Sequence, residues 1–296
     1  MTQYLRDVKA RATSTLEQAG IDTSEADVIT LLAHVLDVTK GNLVLIDELS
    51  DEEAGQFDHL VQQRAQRIPL QHLTGIAGFC ELDLQVGSGV FVPRPETETL
   101  VQLARQFLHE SAGEQPVVVD LCTGSAAIPL AIATSASVQA FGLELSEAAF
   151  DWAQRNVDAY GQLLAERDST VELLNVDATT AISALPQLMG AVNVVTTNPP
   201  YIPDGAIPRD PEVRDHDPAM ALYGGADGLT IMRELIGQAH ELLVDGGVLL
   251  IEHGDEQADS VRQAIADQGG FVQLTDHPDL AGRPRVARAV RAYSDQ

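Results

Sequence analysis

The most distinctive chemistry in this 296-residue chain stands at Asn198-Pro199-Pro200-Tyr201, directly after the apolar run AVNVVTT at 191–197. Two consecutive prolines fix φ and remove two backbone donors, leaving the carbonyls of Asn198 and Pro199 free to face a ligand. An amide side chain, rigid carbonyl acceptors and an aromatic ring can together hold a planar NH₂ group: the acceptors take its two protons and the ring packs on its face. The plain alternative is an Asn-Pro turn that merely ends a strand.

Three further segments also follow apolar runs. Asp120-Leu121-Cys122-Thr123-Gly124-Ser125-Ala126 reads as a tight strand-to-helix turn whose backbone can approach a ligand at Gly124. It has one glycine and not the three of GxGxxG, so a cradle for a dinucleotide pyrophosphate is disfavoured. Glu144, in FGLELS, comes about 20 residues later, where a carboxylate can accept hydrogen bonds from both ribose hydroxyls of an adenosine. Asp177, in NVDATT, can accept from an adenine amino group. Read singly, each is also an ordinary turn residue or solvated acid.

These residues need a scaffold that brings strand ends together. From Glu96 onward, apolar strands alternate with amphipathic helices, predicting a parallel α/β sheet with strands near 117–121, 138–143, 170–175, 191–197, 247–252, 271–275 and 286–292. The last two strands are joined by His277 to Arg285, a link too short for a crossover helix and suited to an antiparallel hairpin. Seven strands with the last reversed resemble the Rossmann-like sheet of class I methyltransferases. In such sheets ligands bind beyond the carboxyl ends of the strands.

The first 75 residues read instead as a small helical bundle. Helices are expected over 3–19, ending at Gly20, over 24–37, and from a capping box at Ser50-Asp51-Glu52-Glu53 to about Arg67. Residues 76–95 are expected to link the two parts, with a hairpin over 76–92 turning at Gly87-Ser88-Gly89. The predicted organisation is thus a helical domain at 1–75, a β-hairpin linker at 76–95 and a catalytic domain at 96–296.

Composition narrows the partners. Forty-four Asp and Glu oppose 18 Lys and Arg for a net charge of −26, which disfavours binding a long nucleic acid through its phosphates. Arg283, Arg285, Arg288 and Arg291 are the one basic cluster, read as solvated arginines on a terminal strand. Two isolated cysteines and no 18-residue apolar run suggest a cytoplasmic protein without disulfides or a membrane span. The eight histidines form no HxH or HExxH pattern, so no metal is expected.

NPPY after the fourth strand, DLCTGSA after the first and PRPETE at 93–98 resemble the PrmC (HemK) family. Its members are S-adenosyl-L-methionine (AdoMet)-dependent methyltransferases of the glutamine amide in the Gly-Gly-Gln motif of peptide chain release factors. QHLTG at 71–75, IEHG at 251–254 and RPRVAR at 283–288 extend the resemblance over nearly the whole chain. The resemblance implies AdoMet contacts at Cys122, Thr123, Gly124, Ser125, Ala126, Glu144, Asp177, Ala178 and Asn198. It also implies a catalytic group of Asn198, Pro199, Pro200 and Tyr201, with the helical domain recognising a release factor.

Two departures stand out. Cys122 and Ala126 occupy places where the family usually has glycine, so a positive φ there would be strained. Ala178 replaces a frequent aromatic residue, removing an adenine-stacking surface. The proline-rich segment 202–226, beside NPPY, is expected to be a lid that orders over bound peptide. A monomer meeting its substrate transiently is the default. Alternatives left open are a methyltransferase of exocyclic amines in RNA or DNA, a nicotinamide-dependent oxidoreductase, and an AdoMet-binding protein without activity.

Overall fold

A computed structural model of the chain describes residues 3–111, 113 and 115–293. It divides into two compact units: one takes the chain up to Ile76 together with Pro208–His216, and the other takes Ala77–Ile207 and the chain from Asp217 onward.

The first unit is helical. A short strand pair, β1 (Gln3–Tyr4) with β2 (Glu48–Leu49), accompanies α1 (Leu5–Gln18), α2 (Ser24–Val35), α3 (Asp51–Ala65) and α4 (Leu70–Thr74). The i, i+3, i+4 pattern explains the packing: Leu5, Val8, Ala12 and Leu16 form the buried stripe of α1, one face of a helix turned to a core. On α3 the stripe is Ala54, Phe57, Val61 and then Arg64, a cation at an apolar register position. The capping box is present: Ser50 Oγ accepts from Glu53 N, and the Glu53 carboxylate accepts from Ser50 N at 2.7 Å. Gly20 takes the left-handed φ of 73° after α1.

The second unit opens with β3 (Ile76–Phe79) and β4 (Leu82–Gln85), which pair with each other. The connecting turn is Cys80-Glu81, with Cys80 at φ 50°, and not the expected Gly87-Ser88-Gly89. Those glycines serve another purpose. A Cβ on Gly87 would lie 2.5 Å from the Trp152 ring, whose indole N–H donates to Ser88 O; the segment is glycine-rich because it lies flat on a tryptophan. Phe79, Leu82 and Leu84 join the core of this unit.

A seven-stranded sheet follows, built from β5 (Val117–Leu121), β6 (Gln139–Leu143), β7 (Thr170–Leu174), β8 (Val192–Thr197), β9 (Leu243–Glu252), β10 (Phe271–Pro278) and β11 (Pro284–Arg291). Its order is β10-β11-β9-β8-β5-β6-β7. The pairs β5 with β6, β6 with β7, β5 with β8 and β8 with β9 are parallel, and β11 runs antiparallel to both neighbours. The last strand is therefore reversed, as its short link requires. Helices α5 (Glu98–Ser111), α6 (Ala127–Ala133), α7 (Glu147–Ala159), α8 (Gly161–Glu166), α9 (Ala181–Ala184), α11 (Thr230–Leu242) and α12 (Ala258–Gln268) fill the connections, while α10 (Pro211–His216) belongs to the first unit.

Both faces of the sheet are covered. Val118, Val194, Val248 and Leu250 lie in one apolar cluster, and Val119, Val195, Leu249 and Ile251 in another, the period-two alternation of a strand buried on both sides. Chain order reverses between β5 and β8, which places the switch point, and so the ligand crevice, beyond Leu121 and Thr197.

Candidate active site

The turn after β5 is held from below. Asp120 is fully buried, and its carboxylate accepts from the hydroxyls of Thr123 and Thr196, each at 2.6 Å. Burial pushes the Asp120 carboxyl up to about 7, with the two hydroxyls opposing and the Glu144 charge adding to the rise. Asn156, also fully buried, donates to Ser125 O and to Gln85 O and accepts from Gln85 N, tying the turn to β4. Both residues lie outside the expected contacts. Asp120 was visible only as part of its motif, and Asn156 carries no local signal at all.

The strain anticipated at the two glycine places is present. Cys122 has φ 65°, Gly124 φ 57° and Ala126 φ 63°, so two residues with a Cβ are held in the left-handed region. Each such residue costs on the order of 1–2 kcal/mol. Burial raises the Cys122 thiol, and the charges of Glu144 and Asp120 act in the same direction, which keeps the sulfur neutral. An Ala126→Gly variant is expected to leave stability within about 0.5 kcal/mol of the parent. Relief of ~1 kcal/mol of strain there offsets the loss of one buried methyl, worth ~0.8 kcal/mol. A urea unfolding midpoint measures the sum, and a loss above about 1.5 kcal/mol would show that the backbone is unstrained.

The other residues expected to hold a cofactor are brought to the same edge. Glu144 follows β6, and its two carboxylate oxygens accept from Gly124 N and Ser146 N, both at 2.8 Å. Burial raises its carboxyl, against those backbone donors. Each oxygen keeps a further lone pair for a hydroxyl. Asp177 follows β7, exposed, with Oδ1 accepting from the Thr179 backbone and hydroxyl; Ala178 beside it is buried.

Asn198 follows β8 directly, with Pro199 and Pro200 buried behind it and Tyr201 half-buried. Asn198 Nδ2 donates to Thr97 Oγ1 at 3.2 Å. Burial pushes the Tyr201 phenol up to about 12, the Glu252 charge adding to the rise, so the ring acts as a neutral wall and not as a base. The turn is clamped from outside by YGGADG. A Cβ on Gly224 would collide with the Pro200 carbonyl, and one on Gly228, at φ 75°, with the Tyr201 carbonyl. Gln257 Nε2 donates to that same Tyr201 oxygen at 2.9 Å. Gly224, Gly228 and Gln257 were all missed from sequence, although the glycine pair was a usable hint of close backbone approach.

Every polar residue of PRPETE has a partner. Arg94 pairs with Asp217 and lies over the Phe91 ring, Glu96 pairs with Arg283, Thr97 meets Asn198, and Glu98 accepts from Cys80 N. Within RPRVAR, Arg283 and Arg285 pair with Asp279 and Arg285 donates to His253 O; beyond it, Arg291 pairs with Asp245. The expected solvated cluster is corrected at Arg285, which is buried, whereas Arg283 is exposed.

The segment 202–226, expected to be a lid that orders over bound peptide, is tied at its base and in its middle. Ile202 N donates to Leu222 O, Gly224 N to Ile202 O and Asp204 N to Gly225 O, which close the base of the segment. Its middle, Pro208–His216, packs within the helical unit. There Glu212 accepts from Arg64 at 2.6 Å and Arg67 at 2.7 Å, while Arg64 also donates to Asp27 at 2.7 Å. Burial opposes ionisation of Glu212, but hydrogen bonding with Asp210, Arg64 and Arg67 outweighs it and holds the carboxyl down at about 2.

The crevice suits a nucleoside cofactor. No atom comes within 4 Å of where a Cβ on Gly124 would stand, so the turn leaves open space in front of its backbone beside the Glu144 carboxylate, which accepts from Gly124 N; Asp177 and Asn198 follow the carboxyl ends of neighbouring parallel strands. The release factor glutamine methyltransferase of Mycolicibacterium smegmatis is 43% identical over 288 residues, covering 97% of this chain and 98% of that one. The chain belongs to the release factor glutamine methyltransferase family. The PrmC N-terminal domain family matches residues 7–75, the helical part. A second member, from Streptomyces coelicolor, is 42% identical over 285 residues, 96% of each chain. The solved hMettl16 catalytic domain, in complex with the MAT2A 3'UTR hairpin 6, superposes with a TM-score of 0.54 over 83% of this chain and 84% of that one. At 14% identity it speaks for the class I methyltransferase fold alone. No helix among the described residues is long and apolar enough to cross a membrane.

Proposed function

We propose that this chain transfers the methyl group of AdoMet to the side-chain amide nitrogen of the glutamine in the Gly-Gly-Gln motif of peptide chain release factors. One observation carries the reading: Asn198-Pro199-Pro200-Tyr201 occupy the switch point of the sheet in a chain 43% identical, over 97% of its length, to a release factor glutamine methyltransferase. Thr123, Gly124, Ser125, Glu144 and Asp177 would hold AdoMet, with Cys122, Ala126 and Ala178 shaping the wall. AdoMet, when bound, supplies an electrophilic sulfonium methyl.

An amide nitrogen is a poor nucleophile because its lone pair is delocalised into the carbonyl. The chain's own residues act by positioning. Asn198 Oδ1 and the Pro199 carbonyl accept the two amide protons, favouring the form whose lone pair turns toward the incoming carbon. Tyr201, neutral and backed by Gln257 and Gly228, limits rotation of the substrate amide. Holding reacting atoms ~3–3.5 Å apart supplies several of the ~7–11 kcal/mol available from proximity.

The helical unit is assigned to grip another part of the release factor, and the protein acts as a cytoplasmic monomer. The test is methyl transfer from labelled AdoMet to a purified release factor, beside its Gly-Gly-Gln variant with the glutamine replaced by alanine and a total RNA sample. Label on the intact release factor alone is expected. Label on RNA, or none anywhere, would sink the reading.

A further inference from the structure

Two motifs read from the sequence, PRPETE and IEHG, meet at Asn198. Thr97 closes the turn before α5 and is 4% exposed; Glu252 ends β9 and is 2% exposed. Because Thr197 of β8 stands opposite Ile251 of β9, Asn198, directly after β8, follows on beside Glu252, the last residue of β9. Asn198 Nδ2 donates to Thr97 Oγ1. Glu252 Oε2 has no hydrogen-bond partner among the described residues, a buried carboxylate oxygen with capacity to spare.

An asparagine amide is nearly symmetric in shape, and its two ends do opposite chemistry. Catalysis of the proposed kind needs Oδ1 toward the substrate. A flipped amide would present two donors to a group that is itself a donor. An ionised carboxylate only accepts, so the end of Asn198 facing Glu252 and Thr97 must be the NH₂ end. We propose that Glu252, acting with Thr97, is the positioning residue that sets the Asn198 amide with its oxygen facing the substrate. The inference rests on the proposed function for the meaning of that orientation, and on the Asn198–Thr97 hydrogen bond and the neighbouring strand ends for the orientation itself.

The charge of Glu252 then becomes a control on Asn198. Burial pushes the Glu252 carboxyl up to about 7. Hydrogen bonding from Thr97 and Asn198 and the charge of Arg285 on β11 oppose the rise, while the charge of Glu96 adds to it; Tyr201 also faces the group. A protonated Glu252 can donate, and the preference for the NH₂ end is released. The carboxylate, the form that orients Asn198, is populated above the raised pKa, so kcat rises with pH through about 7 and then levels.

The experiment compares the full-length enzyme with Glu252→Gln, Thr97→Val and Thr97→Ser. Readouts are kcat and KM for release factor from about pH 5.5 to about 9, the AdoMet Kd by calorimetry, and Tm. Glu252→Gln is expected to lower kcat about tenfold, the worth of one well-placed hydrogen bond, with KM and Kd within about twofold and the rise near pH 7 abolished. Thr97→Ser is expected to recover most of what Thr97→Val loses. A Glu252→Gln enzyme that keeps the parental kcat and pH profile would overturn the inference. So would a loss confined to Tm or AdoMet binding, the mark of a merely structural role. If Glu252→Gln fails to fold, equal loss in Thr97→Ser and Thr97→Val overturns it.

The Asn198 side-chain NH₂ resonances in the free protein separate this inference from the functional reading. They are expected to shift with pH near 7 in the parent and not in Glu252→Gln. No shift in the parent refutes the positioning role whatever the substrate, whereas a shift without methylation of release factor refutes the functional reading alone.

Discussion

Replacing Asn198 with alanine is expected to lower kcat about 100- to 1,000-fold, the usual cost of removing one preorganised hydrogen-bonding group from a site where charge develops. The loss should fall on kcat more than on KM. The amide protons become more acidic as the nitrogen acquires its new bond, so an acceptor at Asn198 Oδ1 gains strength along the reaction, and an interaction made mainly in the transition state lowers kcat and kcat/KM alike. AdoMet affinity should fall much less than kcat, because Asn198 is one contact among several and Gly124, Glu144 and Asp177 stand on other strand ends. Single-turnover rates with labelled AdoMet measure the effect. A kcat within about fivefold of the parent would move the burden of catalysis off Asn198.

The second large effect is on stability. Arg64 is 6% exposed on the buried stripe of α3 and pairs with Asp27 and Glu212, 4% and 8% exposed. An Arg64→Ala variant strands two carboxylates in the interior, and breaking a buried pair from one side typically costs ~3–5 kcal/mol. Arg67 remains on Glu212, so the lower end of that range is expected. The only tryptophan, Trp152, lies in the other unit and reports poorly on this change. Hydrogen exchange of α3 and α10 amides is the suitable measurement, and unchanged protection would show the pair to be dispensable. The same triad sets an acid limit. Glu212 is held down at about 2 from an ordinary 4.5, so its contribution is fully present above about 4.5 and is lost as pH falls toward 2.

The sheet was legible because each strand is an apolar run long enough to be buried on both faces, and the reversed last strand followed from the short link after His277. The capping box at Ser50 and the stiffness of NPPY were equally local signals. The hairpin turn was misplaced because Gly87-Ser88-Gly89 looks like a turn, while the actual one at Cys80-Glu81 uses a non-glycine residue at φ 50°. Strand β9 begins at Leu243, four residues before the expected 247, where a register shift against β8 between Val192 and Val194 lengthens the pairing. What escaped altogether was tertiary. Thr97 and Asn198 are 101 residues apart, and Arg64 and Glu212 are 148 apart. No spacing rule links such pairs, and each side chain taken alone resembles a surface polar residue.

The insertion of Pro208–His216 into the helical unit bears on how the protein is made. Synthesis delivers α1 to α4 first, yet Arg64, already beside Asp27, waits for the Glu212 carboxylate, which emerges from the ribosome only after strands β3 to β8. Until residue 212 emerges, the amino-terminal helices carry a buried cation with one partner missing. Their final tightening is therefore timed to a late point in translation, and the catalytic strands through β8 are already out of the exit tunnel when it occurs.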